Sequence, residues 1–141
     1  MQAASIARRN PSMRIASLRF HAVTPTQYVN PRMLDEHGGA WKDLWGWVSL
    51  DATAEACLKG LLAPETTFPC GHEAFFIAAQ TTCRGMNSLE LLRTKFDPES
   101  EGIIIRGKVV GNKGLFDVSK AERMLGWKEE GFLWSEAGGF E

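Results

Sequence analysis

The clearest alternation of apolar and polar positions runs from Trp45 to Leu62. Trp45, Trp47, Val48 and Leu50 make a short apolar run that predicts a strand. Behind it, Ala54, Cys57, Leu58, Leu61 and Leu62 recur at helical spacing, which predicts a helix with these residues turned toward the core. Asp51 stands where a side-chain oxygen can cap that helix. Glu55 precedes Lys59 by four positions, the favourable order for a helix ion pair. Pro64 ends the pattern.

The same reading places the other elements. Met1–Arg9 carries small and helix-favouring residues and no N-cap signal, so it reads as the end of a helix, stopped by Asn10-Pro11. Arg14–Phe20 reads as a strand. His21–Arg32 contains Pro25 and Pro31 and is a loop. Met33–Asp43 is polar, with Gly38-Gly39, and a short helix is expected around Trp41–Leu44. Pro64–Gly71 is a turn-rich connection. His72–Ala79 is nearly continuous in apolar residues, the pattern of a strand covered on both faces. Asn87-Ser-Leu-Glu90 has the form of a capping box and opens a helix to Phe96. Asp97–Gly102 is a polar turn, and Ile103–Val110 reads as a further strand. Ser119-Lys-Ala-Glu122 is a second capping box, opening a short helix that Gly126 stops. Periodicity is lost from Lys128, and residues 129–141 read as a flexible tail after a single domain over residues 1–128. Strands alternating with helices predict an α/β fold.

Composition narrows the function classes. The chain has 141 residues, 44% hydrophobic and 23% charged, with a net charge of −1. That balance creates no field favouring nucleic acid or a membrane surface. No apolar run approaches the roughly 20 residues that span a bilayer. Residues 1–34 hold Arg8, Arg9, Arg14, Arg19 and Arg32 and no acid, leaving −6 for the rest. An Arg-rich, acid-free start also suits a mitochondrial leader. The strand at Arg14–Phe20 argues against a removable segment. Cys57, Cys70 and Cys83 form no paired pattern and are expected as reduced thiols, which points to the cytoplasm.

Most catalytic and binding motifs fail on inspection. Gly102-Ile-Ile-Ile-Arg-Gly107-Lys108 matches a phosphate-loop spacing, but Val109 lacks the hydroxyl that such a loop uses. No G-x-G-x-x-G occurs. His21, His37 and His72 have no ligand partners at metal-binding spacing, so no metal site is expected. There is no G-x-S-x-G elbow. Tyr28-Val-Asn-Pro-Arg32 imitates a Tyr-x-x-x-Lys pair, but Pro31 forbids the helical face and Arg replaces Lys. The five tryptophans, without a basic groove, belong to core packing.

Four pieces in order nevertheless resemble one family. They are Ile15-Ala-Ser-Leu-Arg19-Phe20, Trp47-Val-Ser-Leu-Asp51-Ala-Thr-Ala, His72-Glu-Ala-Phe-Phe-Ile-Ala-Ala, and Phe116-Asp117-Val-Ser119-Lys120-Ala-Glu-Arg-Met-Leu125-Gly126-Trp127. Together they resemble the C-terminal portion of the NAD-dependent epimerase/dehydratase family, the extended short-chain dehydrogenases. The resemblance covers residues 1–128, and the last piece is the most specific. It implies a partial Rossmann-like fold, with Arg14–Phe20 and His72–Ala79 as the last parallel strands. Met33–Leu44 and Ile103–Val110 would belong to a small substrate-binding lobe. It implies hydride transfer with NAD or NADP on a sugar or small alcohol or carbonyl substrate. His21 and Val23 would lie on the cofactor side, and Tyr28, Arg32 and Arg106 on the substrate side. The family's glycine-rich fingerprint and its Tyr-x-x-x-Lys fall outside this sequence, so no catalytic residue is expected here and the chain alone should be inactive. The tail lacks the proline that usually follows the final Gly-Trp. A homodimer is compatible with this reading. The alternative is a non-catalytic interaction protein that uses apolar faces left bare by a partial fold.

Overall fold

The computed structural model describes residues 2–25, 39–96, 104–105 and 107–129. Among them the chain is a mixed α/β protein with two short parallel pairs of strands and four helices. Helix α1 (Gln2–Arg9) ends where Asn10 folds its amide back onto the Ile6 carbonyl. Strand β1 (Arg14–Phe20) runs parallel to β4 (Gly71–Ile77), with Arg14 opposite Gly71 and Phe20 opposite Ile77. Strand β2 (Ala22–Thr24) follows after a single residue and changes partner to β3 (Trp47–Ser49), again parallel. The far side of β3 is taken by the segment leaving β4, through a 2.7 Å bond from Ala79 N–H to the Trp47 carbonyl. The chain therefore passes from one strand pair to the other at His21.

β3 leads directly into helix α2 (Leu50–Leu62), as the apolar pattern predicts. Two details differ. The cap is Ser49, whose Oγ accepts the Ala52 N–H at 3.1 Å, while Asp51 already lies inside the first turn. The buried face consists of small residues: Ala52 and Ala56 are enclosed, and Gly60 lies over Ala16 and Leu18 of β1. Ala54, Cys57, Leu58, Leu61 and Leu62 face outward instead, with Leu61 78% and Leu62 71% exposed. The reason is volume. Phe68, Phe75, Ile77 and Trp127 already fill the core beneath α2, so the helix approaches with alanine and glycine and turns its leucines away.

Helix α3 (Ser88–Arg93) is capped by Asn87, which accepts the N–H groups of Leu89 and Glu90. It ends before Phe96, yet Leu89, Leu92 and Phe96 all join a second core around Trp45, Trp47 and Cys83. Helix α4 (Ser119–Leu125) ends at Gly126 with φ of 66°, as expected, but Ser119 does not cap it. Asp117 accepts the Ser119 N–H instead, and hydrogen bonding from the Ser119 side chain and from this N–H holds the Asp117 carboxyl below its usual range. A 3-10 turn at Ala40–Asp43 occupies the expected short helix. The expected strand Ile103–Val110 does not form over its described residues. The nearest pairing is a single antiparallel bridge between Thr81 and Lys113. Ordered chain continues past residue 128, since Glu129 is buried and accepts the Ser49 N–H; residues 130–141 of the expected tail lie outside the described residues. No helix among the described residues is long and apolar enough to cross a membrane.

Candidate functional site at the carboxyl ends of the strands

In parallel sheets the crevice for ligands opens at the carboxyl ends of the strands, where neighbouring strands diverge. Here that place is marked by His21. The strand pairing of β1 with β4 stops at Phe20, and pairing of β2 with β3 begins at Ala22. His21 therefore has no ladder partner, and its ring is buried against Phe76 and Phe116.

The imidazole is held by aromatic packing. Its centroid lies 3.7 Å from that of Phe116 and 5.9 Å from that of Phe76, both stacked. The Arg19 guanidinium lies 5.6 Å from the Phe76 centroid. Close approach from the β3 side requires Gly46: a Cβ there would meet Phe116 at 2.7 Å and the His21 ring at 3.0 Å. The turn that delivers Gly46 is strained, with Leu44 and Trp45 both in the left-handed region at φ of 49° and 52°.

Among the described residues, His21 faces the Asp43 carboxylate at close range. Its Nδ1 lies 3.0 Å from Asp43 Oδ1, with the imidazole side chain only 9% exposed and Asp43 56% exposed. The contact is close but out of line for a hydrogen bond, and Nε2 is buried without a partner among the described residues. An imidazole beside a carboxylate, with its second nitrogen uncommitted, is chemically suited to hold or pass a proton.

Phe116 links this cluster to a groove of about 1160 Å³. One wall is Leu44, Leu92 and Phe96, and the other is the chain from Gly107 to Ser119. That chain is docked on the end of β4 by bonds from Thr82 N–H to the Asn112 carbonyl and from Gly114 N–H to the Gln80 carbonyl. Gly114 is required for the docking, because a Cβ would come within 2.7 Å of the Ala79 carbonyl oxygen. The groove is mostly apolar, with Lys108, Lys113 and Lys128 against Asp117 and Glu122 at its edges. Thr81 lines it with a buried hydroxyl that has no partner among the described residues. No group of three or more His, Cys, Asp or Glu among the described residues is placed to hold a metal ion.

Of the residues singled out from sequence, His21 lies in this cluster. Val23 lies two residues on, opposite Val48 in the β2–β3 pair and 43% exposed. Tyr28, Arg32 and Arg106 lie outside the described residues. Asp43, Gly46, Thr81 and Phe116 were not singled out as site residues. The Trp45-Gly46-Trp47 run was the available signal for a tight approach.

Fold and site together define a mixed α/β protein in which a buried histidine follows the first strand of a parallel pair, beside a mostly apolar groove. Comparison with family models, curated proteins and solved structures finds no match to this chain.

Proposed function

We propose that the chain is the substrate-side, C-terminal portion of an NAD-dependent epimerase/dehydratase-type domain with a partial Rossmann-like fold. The complete domain would transfer a hydride between NAD or NADP and a sugar or small alcohol or carbonyl substrate. The observation that carries this reading is the parallel pairing of β1 with β4, which ends at Phe20, the residue before His21. A pair of parallel strands covered by helices suits one side of a larger parallel sheet. The order strand, strand–helix, strand, C-terminal helix is also the order in which the four resembling sequence pieces occur.

In this reading His21 and Val23 border the nicotinamide, and the groove beside Phe116 receives the substrate. The chain alone has neither a glycine-rich phosphate cradle nor a Tyr-x-x-x-Lys, so it binds the cofactor weakly and turns over nothing. Titration of the isotope-labelled protein with NADH, followed by amide NMR, tests the assignment. Shifts at His21 and Val23 with dissociation constants near about 1 mM are expected, a strength of only about 4 kcal/mol. Saturating NADH that moves neither residue would remove the cofactor assignment.

A second reading is a non-catalytic interaction protein. The exposed leucines of α2 favour it.

A further inference from the structure

We propose that Glu129 is a pH-operated catch. Protonated, it fastens the chain that follows α4 to the end of β3 and to the segment leaving β4; ionised, it lets that chain go. This inference stands apart from the hydride-transfer reading.

The chain after α4 forms a short strap with a fixed post and a catch. Trp127 is the post: it is fully buried, and its indole N–H donates to the Ala52 carbonyl at 3.0 Å. Two residues on, Glu129 is only 8% exposed. Its Oε1 accepts the Ser49 N–H at 3.2 Å, and its backbone carbonyl accepts from Gln80 Nε2 at 3.0 Å. Both partners are distant in sequence, so these bonds form only when the strap lies closed.

The carboxyl is the part that can change. Its Oε2 is buried without a hydrogen-bond partner among the described residues. A neutral carboxyl tolerates that position, whereas a carboxylate there needs water or a cation. Burial accordingly pushes the Glu129 carboxyl above its ordinary value, and only the Ser49 hydrogen bonds oppose it. The charged groups on the neighbouring elements do not supply the missing cation. Asp51 and Glu55 of α2 carry the same sign as a carboxylate. Lys59 is held by Glu55 and by the Gly126 carbonyl. Glu73 of β4 is paired with Lys120, and Arg84 after β4 makes contacts of its own. Lys128, beside Glu129 in the strap, lies 4.0 Å from Glu122.

The catch reaches the groove. Gln80 and Lys128 both line it. Freeing Glu129 therefore loosens one edge of the groove, while Trp127 keeps the strap attached. A local charge change that biases a segment with two positions is the physical form of a pH switch.

NMR of the isotope-labelled full chain from about pH 4 to about pH 8 tests this. The side-chain carboxyl carbon of Glu129 should titrate with a midpoint above 4.5. Hydrogen exchange of the Ser49 N–H, corrected for its intrinsic pH dependence, reads the opening of the catch. Its opening constant should rise by up to about tenfold per pH unit above 4.5 and level off once the closed-state midpoint is passed. The Trp127 indole N–H should stay protected throughout. Glu129→Gln should keep the Ser49 N–H protected at every pH. A Glu129 midpoint at or below 4.5, a Ser49 opening constant that is flat with pH, loosening of the Trp127 indole together with Ser49, or the wild-type pH dependence retained in Glu129→Gln would each overturn the proposal.

Discussion

Glu129 shows how one buried carboxyl couples the chain end to the fold. Its Oε1 accepts the Ser49 N–H, its backbone carbonyl accepts from Gln80, and its Oε2 has no partner among the described residues. Burial pushes the Glu129 carboxyl above its ordinary value of 4.5, and the Ser49 hydrogen bonds oppose this only in part. A raised folded-state pKa means that the fold favours the protonated form. That contribution is complete below the unfolded value and is lost as pH rises through the folded one. Glu129→Gln cannot ionise and escapes the loss. The thermal midpoint of the variant should therefore gain on wild type as pH rises from 4.5 toward neutrality. A midpoint difference that is flat with pH would contradict this account. Single residues of this kind were the least legible from sequence. Glu129 sits in a stretch without periodicity, and only the folded chain brings it to Ser49, 80 positions away. His21 could be singled out because it follows a strand. Its neighbours Asp43 and Phe116 come from distant loops with no pattern of their own.

Elements follow from pattern more directly, and the misses share a cause. β1 spans the expected Arg14–Phe20, and the strand–helix passage into α2 occurs where the apolar run meets the helical period. Periodicity identified the leucine face of α2 but not its direction, because which face turns inward depends on what fills the space beneath. Trp127 decides it: it is fully buried against α2, its indole N–H bonded to the Ala52 carbonyl at 3.0 Å. Capping chemistry was legible as residue type but not as position. Ser49→Ala removes the oxygen that accepts the Ala52 N–H and should lower stability by about 1 kcal/mol. Asp51→Ala should cost only the few tenths typical of a carboxylate in a first helical turn. Chemical denaturation of the two variants distinguishes them, and a larger loss in Asp51→Ala would reverse the assignment of the cap.

At the scale of the whole molecule, two short parallel pairs meet at His21, and two aromatic cores flank them. Parallel strands are favoured where both faces are covered, which ties this arrangement to the larger sheet of the proposed domain. The central proposal is that the chain is the substrate side of a hydride-transferring domain, with the cofactor cradle and acid–base pair supplied by sequence upstream. The most direct test is the coding sequence immediately upstream of Met1. The account predicts an in-frame Tyr-x-x-x-Lys shortly before Met1 and a G-x-x-G-x-x-G further upstream. An open upstream frame without either motif, or a stop codon directly before Met1, would contradict it.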